Sequence, residues 1–379
     1  MFLLSNNFES FGMDIGDRSL KVAYIKKSRS TPVLASYGSL AITPGLIEQG
    51  RNKDEAELIK FFQQAVKGAA GKKISTPFVH ACLPETQTFI KLLTVESKTE
   101  GELPARIREE LPNHFPVSPD ELYIDWHLVE KGKNGANRLL VGAVPKTIAD
   151  GYLKILLAAG LEPVSLQIEA ESILRSLLPQ ADLPKTPIAL IDIGASRSSF
   201  ICFDHGSIQF TVSLDIAGDN ITDLIKNQLN LSFEEAEQAK KICGLDHQSG
   251  EGIIKEIISH VVDDLANTIT RNIAYYAEHF PQSSPITSVI LCGGGSKMRN
   301  LKEMLSTKLK NIRIYHGNPL INLVKNLKSV VRQPGADGDF NFLRPDVQFE
   351  KIKVAAPLSP EVALVYTTAI GLALENIFY

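Results

Sequence analysis

From Phe11 to Lys26 apolar and polar side chains alternate around a glycine, which predicts two strands joined by a tight loop. Leu58, Ile59, Phe62 and Ala65 recur at helical spacing, predicting a helix from about Asp54 to Gly68. Residues 77–95 read as strands, and Glu100–Leu111 reads as a charged helix stopped by Pro112. Leu122–Glu130 alternates again, with Tyr123, Asp125 and His127 on one face and Ile124, Trp126 and Leu128 on the other. The polar turn Lys131–Gly135, which includes Lys133, leads into a strand at Arg138–Val144, so a hairpin is expected. A helix from about Lys146 to Ala159 ends at Gly160.

The opening pattern then recurs. Ala189-Leu-Ile-Asp-Ile-Gly-Ala-Ser-Arg-Ser-Ser-Phe-Ile-Cys202 repeats the order of Phe11-Gly-Met-Asp-Ile-Gly-Asp-Arg-Ser-Leu-Lys-Val-Ala23: strand, Asp-Ile-Gly, polar loop, strand. A repeat separated by about half the chain implies two related halves. Helices are expected over Ala217–Leu229, Ser232–Cys243 and Gly252–His279. The apolar run from Val289 enters the glycine loop Gly293-Gly-Gly-Ser-Lys297, followed by a helix. Residues 333–358 carry Pro, Gly and Asp and read as an irregular insertion, and Glu361–Asn376 as a final apolar helix.

Composition narrows the class. The 379 residues are 44% hydrophobic and 22% charged, with a formal net charge of −3, ordinary for a globular chain and without the basic field that nucleic acid or anionic lipid would attract. The four cysteines (Cys82, Cys202, Cys243, Cys292) form no CxxC pair, so neither a zinc site nor a disulfide framework is indicated. The eight histidines show no metal-ligand spacing. The first ten residues are too polar and short for a signal peptide, and no apolar run reaches the length of a membrane helix. A reducing cytoplasm is the expected compartment.

The candidate chemistry sits in the repeats. In Asp14-Ile-Gly-Asp-Arg-Ser-Leu-Lys21, a turn at Gly16 exposes backbone N–H groups that can cradle a phosphate, Ser19 adds a hydroxyl and Lys21 a positive charge. Asp14 would repel a phosphate unless a cation lay between them, and hydrated Mg²⁺ suits that place. The second loop follows the same logic: Gly194, Ala195, Ser196, Arg197 and Ser198 offer donors, and Asp192 approaches the metal from the other side. Gly293, Gly294, Gly295 and Ser296 permit close approach to a base or ribose-phosphate. Glu237 and Lys240, three apart on one helix face, could grip ribose and base, and Gly218 follows the second loop. Any one of these segments is also what a plain polar turn or a solvated helix face looks like.

Together, in this order, they resemble the actin, heat-shock chaperone and sugar-kinase superfamily, with its two phosphate loops, adenosine loop and two connecting segments mapping to Asp14–Lys21, Asp192–Ser198, Ile290–Lys297, about Leu161–Leu177 and about Thr368–Leu374. A narrower resemblance is to the PilM family of actin-like proteins of type IV pilus assembly, related to the division protein FtsA. It rests on Phe11–Gly16 with Lys21, Arg108–Trp126, Leu140–Lys146 with Tyr152–Pro163, Asn318-Pro319 and Ala369–Leu374. Asp17 and Arg18 stand where that family often has small residues, and Ala217-Gly218-Asp219 replaces a double glycine.

The resemblance implies a two-lobed α/β actin-like (ribonuclease-H-like) fold. Residues 1–79 and 151–185 with the helix at 360–379 would form the first lobe, 80–150 an inserted α+β subdomain, and 186–359 the second lobe. It implies ATP or ADP with Mg²⁺ as cofactors, and docking of the N-terminal cytoplasmic peptide of an inner-membrane protein resembling PilN. The groove for that peptide is expected between the first lobe and the insert. The chain would then be cytoplasmic and peripheral to the inner membrane through that partner. Other pilus proteins and self-association are also open to it. Glu169, in the first connecting segment with Glu171, stands where the superfamily often positions an attacking water, although acidic residues are also favoured at any helix start. The same residues accommodate a slow ATPase or a nucleotide-loaded scaffold. A small-molecule kinase and an FtsA-like filament protein are the competing readings. The end of the chain soon after the final helix counts against a membrane-targeting helix of the FtsA kind.

Overall fold

A computed structural model describes residues 9–27, 32–97, 99–132, 135–180, 183–323 and 358–378. The expected insertion, up to residue 357, and Lys133 lie outside them.

The repeat read from the sequence becomes a repeat of topology. The first sheet runs Glu162–Ile168, Phe78–Leu83, Phe11–Ile15, Ser19–Lys26, Val33–Ala41, with Ala70–Gly71 at its edge. The second runs Arg313–His316, Ser288–Cys292, Ile188–Ile193, Ser198–Asp204, Ser207–Leu214. In each, the strand leading to Asp-Ile-Gly pairs antiparallel with the strand that follows and parallel with a later one. The central strands are buried on both faces, which is why Ile188–Ile193 reads as an almost unbroken apolar run.

Helices cover the outer faces. Glu55–Lys67 and Lys146–Ala158 pack on the first sheet through Leu58, Phe62, Tyr152, Ile155 and Leu156. Gly218–Leu229, Ile253–His279 and Leu301–Lys308 pack on the second through Ile221, Ile225, Ile258, Val262 and Leu305. Local caps set several ends: Asp54 accepts from Glu57 N–H, and Ser232 with Glu235 forms a reciprocal capping box that starts Phe233–Cys243.

Two helices lie between the halves: Glu169–Leu177 and Thr367–Ala373. They meet at backbone distance, since a Cβ on Gly371 would come within 1.8 Å of the Ser172 carbonyl oxygen. Arg175 locks the pair by donating to the Gly371 carbonyl at 3.0 Å and by its ion pair with Glu375 at 2.6 Å. The continuous final helix expected over Glu361–Asn376 is broken into Pro360–Ala363, a 3₁₀ turn Leu364–Tyr366, Thr367–Ala373 and Glu375–Phe378. The Thr367 hydroxyl donates back to the Leu364 carbonyl at that break.

The insert is a three-stranded antiparallel sheet, Phe89–Glu96, Ala136–Pro145 and Leu122–Glu130, with helix Leu103–Glu110 on one face. Leu93, Val95, Leu139 and Val141 pack against Leu103, Ile107 and Leu111. The opposite face, through Leu140, joins a core shared with Ile173, Leu177, Ile201 and Phe203. Divisions at 79/80 and 150/151 would cut the unbroken strand Phe78–Leu83 and the helix Lys146–Ala158, both of which belong to the first sheet's core. The insert's own sheet spans Phe89–Pro145.

Candidate functional site

The two Asp-Ile-Gly segments form matching hairpins. Gly16 N–H donates to the Ser19 carbonyl at 3.1 Å, and Gly194 N–H to the Arg197 carbonyl at 2.8 Å. Asp14 faces Lys21 across the first ladder, and Asp192 faces Ser199 across the second. Both turns point into one cleft between the halves. That cleft gathers Asp14, Gly16, Ser19, Lys21, Glu169, Asp192, Gly194, Ala195, Ser196, Arg197, Gly293 and Gly294 from the expected site.

Lys21 Nζ lies 2.8 Å from Asp14 Oδ2. Burial works against its charge, but Asp14, with Glu169 and Asp192 farther off, holds the ammonium pKa above its ordinary value. Burial pushes the Asp192 carboxyl up to about 6; Lys21 and a hydrogen bond from the Cys292 thiol oppose the shift, and Asp14 adds to it. Gly293 closes this corner. Its φ of +78° and the 2.4 Å that would separate a Cβ from Asp192 Oδ1 both require glycine.

Glu169 opens its helix and accepts from the Thr368 hydroxyl at 3.2 Å. Burial, then Asp192 and Asp14, raise its carboxyl well above the usual range, with Arg197 opposing. Glu169 is half-buried at the first position of its helix. Glu171, two residues on and about 200° around the helix, leaves the cleft. It lines a second one with His127, Leu140, Leu174 and Arg175.

Six expected residues are not in the cleft wall. Ser198 is buried at a strand start. Gly295 packs on Ile193, and Ser296 is buried with its hydroxyl donating to the Gly293 carbonyl at 2.7 Å. Gly218, Glu237 and Lys240 form an adjoining cluster, tied to the second loop by Gly218 N–H donating to the Gly194 carbonyl. There Lys240 Nζ donates to the Gly218 carbonyl and the Thr222 hydroxyl, both at 2.7 Å, and pairs with Glu237 at 2.6 Å. Burial acts to raise the Glu237 pKa, but hydrogen bonds from Lys240 and Thr222 bring it below the ordinary value.

Other cleft residues were not among the expected site residues. Cys82, Glu85, Leu364, Val365, Thr367 and Thr368 all face it. Burial first, then Asp192, moves the Glu85 carboxyl up to about 7, against Arg197. Its one sequence signal is position: it follows Pro84 at the end of an apolar strand whose neighbour is the first hairpin.

Among the described residues no group of three or more His, Cys, Asp or Glu side chains is set to chelate a metal directly, and no helix is long and apolar enough to cross a membrane.

Paired sheets of one topology, each presenting an Asp-Ile-Gly hairpin to the cleft between them, define a two-lobed actin-like protein. Comparison with solved structures agrees. The fold matches the "PilM-PilN type IV pilus biogenesis complex" with a TM-score of 0.77 at 22% identity, covering 98% of this chain and 99% of that one. It also matches the ethanolamine utilization protein EutJ from Carboxydothermus hydrogenoformans with a TM-score of 0.53 at 14% identity, covering 96% and 88%. The family model for type IV pilus assembly protein PilM matches residues 12–331, and the chain belongs to that family. Among curated proteins, the cell division protein FtsA of Pseudomonas aeruginosa is 26% identical over 204 residues, 48% of this chain and 47% of that protein. FtsA of Bacillus subtilis is 32% identical over 99 residues, 26% of this chain and 22% of that one. The matches thus span less than half the length of these relatives.

Proposed function

We propose that this chain is a nucleotide-binding scaffold of type IV pilus assembly, holding ATP or ADP with Mg²⁺ in the cleft and docking the cytoplasmic N-terminal peptide of a PilN-like inner-membrane protein. The observation that carries the nucleotide reading is the pair of matched hairpins converging on one cleft, each with a carboxylate and polar loop residues, beside the cation of Lys21. The phosphates would lie on Gly16, Ser19 and Lys21 from one side and on Gly194–Arg197 from the other. The nucleoside would lie toward Gly293, Gly294 and the Glu237–Lys240 helix.

The donor set fits magnesium. Asp14 and Asp192 offer hard oxygen from opposite halves, and no third protein ligand is close-set among the described residues. Mg²⁺ binds in that manner, through waters and nucleotide phosphates rather than a full protein cage. When bound, the ion would screen the carboxylates from the phosphates and draw charge from the terminal phosphoryl group. Glu169 is proposed to orient water there, with slow turnover or none.

For the partner, the second cleft supports the docking reading. It lies where the insert, helix Glu169–Leu177 and the turn before Ile208 meet, with Leu140, Leu174, Leu178 and Phe203 beside His127, Glu171 and Arg175. Apolar walls with a few charges suit an amphipathic peptide. Because Glu169 and Glu171 share one helix start, the two clefts share a wall. The solved relative in complex with PilN supports the partner's identity. A cytoplasmic location beside the inner membrane follows from that partner.

Calorimetric titration tests this reading, with MgATP and with the cytoplasmic peptide of the neighbouring PilN-like protein. Saturable magnesium-dependent ATP binding, weakened at least tenfold in Asp192→Ala, is expected. Unaltered ATP binding in that variant would sink the site assignment, and absence of peptide binding would sink the docking role.

A further inference from the structure

Asp17 and Arg18 depart from the family's small residues, and so does Asp219 after the second loop. In the structure Arg18 meets Asp219, and Asp17 meets Ser196 and Arg197. Ser196 Oγ donates to Asp17 Oδ2 at 3.0 Å, and Arg197 Nη2 donates to Asp17 Oδ1 at 3.2 Å. Arg18 Nε donates to Asp219 Oδ2 at 2.6 Å, with its guanidinium 5.9 Å from the Phe233 ring centroid. All of these bonds run from the first half to the second.

The geometry points to a cross-cleft latch in which the Asp17 carboxylate occupies the second loop's phosphate donors and must give way when nucleotide binds. This rests on the proposed nucleotide site. Three observations carry it. First, Asp17 is an acceptor-only group seated on the hydroxyl and guanidinium that the second hairpin turns toward the cleft. A phosphate oxygen seeks the same two donors, and two anions cannot share them without a cation between them. Second, the Asp17 and Arg197 side chains are only 11% and 19% exposed, so water screens the pair weakly. Third, Arg197 Nη1 is buried without a hydrogen-bond partner, so the guanidinium has capacity that a single carboxylate leaves unused.

Arg18 and Asp219 have a different part. Their bond joins the first turn to the start of helix Gly218–Leu229, whose Asp219 N–H donates to the Ala195 carbonyl at 2.7 Å. It braces the halves without using a phosphate donor. Asp17 thus sets nucleotide affinity, and Arg18 holds the first turn against the second loop.

The test compares the full-length chain with Asp17→Ala and Arg18→Ala by MgATP calorimetry, and by amide hydrogen exchange without nucleotide. Asp17→Ala is expected to tighten MgATP binding roughly tenfold, the order of a weakly screened charge pair. It should also speed exchange in 16–19 and 194–198. Arg18→Ala leaves Asp17 on the donors and is expected to speed exchange while tightening MgATP less. If the native chain binds MgATP and Asp17→Ala binds it no tighter, the competition is overturned; equal tightening in Arg18→Ala overturns it too. If neither protein binds MgATP, the nucleotide reading falls by itself. The tie across the cleft is then decided by exchange, faster loops supporting it and unchanged loops overturning it.

Discussion

Lys21 Nζ sits 2.8 Å from Asp14 Oδ2, directly across the first hairpin, because the ladder pairs those two residues. That ammonium faces Asp14, Asp192 and Glu169, so with Arg197 it carries much of the cleft's charge balance. Lys21→Ala should therefore cut MgATP affinity at least tenfold and lower stability by roughly 1–3 kcal/mol at pH 7.5. Calorimetry and urea melts check both. The stability loss should shrink at pH 5, below the value of about 6 at which Asp192 takes up its proton.

The pH response of the nucleotide-free chain has a definite sign. Asp192 (about 6 against an ordinary 3.8) and Glu85 (about 7 against 4.5) bind protons more tightly folded than unfolded. Their stabilisation is full below pH 3.8 and 4.5 respectively and is lost as pH rises through about 6 and about 7. Melting temperature should fall between about pH 4 and 7 from these groups, and Glu85→Gln should flatten the upper part of that slope. Magnesium-dependent ATP affinity should move the opposite way, rising through pH 6 as Asp192 ionises. A flat affinity profile would contradict a metal-facing Asp192.

The central helix pair depends on one missing side chain. Gly371→Ala places a Cβ against the Ser172 carbonyl and should cost roughly 2–4 kcal/mol in denaturant titration. Gly151→Ala is the contrast. It lies inside helix Lys146–Ala158 with nothing within 4 Å of the added Cβ, and should stabilise by roughly 0.5–1 kcal/mol.

Ser232→Ala removes one arm of the capping box on the helix that bears Glu237 and Lys240. A loss of roughly 1 kcal/mol is expected, with faster amide exchange confined to the first turn of Phe233–Cys243. Global loosening of the second lobe would contradict a local cap.

Much of the frame was legible along the chain, for local reasons. Hairpins at Gly16 and Gly194 are set by residues a few positions apart, and so are the helices at Glu55–Lys67 and Phe233–Cys243, with their caps. Because the Asp-Ile-Gly pattern occurs twice, its internal repetition announced two halves before any contact was known. Val33–Ala41, Glu162–Ile168 and Arg313–His316 went unread, since these strands gain their partners only from segments distant in the chain.

The sequence by itself determined the pair of hairpins, the order of the loops and the residue types in the two turns, because turn chemistry and side-chain alternation act over a few residues. Only the tertiary structure decided which of those residues share a cleft. It brought Glu85 and Thr368 into one cleft with Asp192, turned Glu169 inward and Glu171 away, and broke the final apolar helix at Leu364–Tyr366. It also set Asp17 on Ser196 and Arg197, 179 and 180 residues away. Such contacts depend on how two separately packed sheets meet, and no local spacing encodes that.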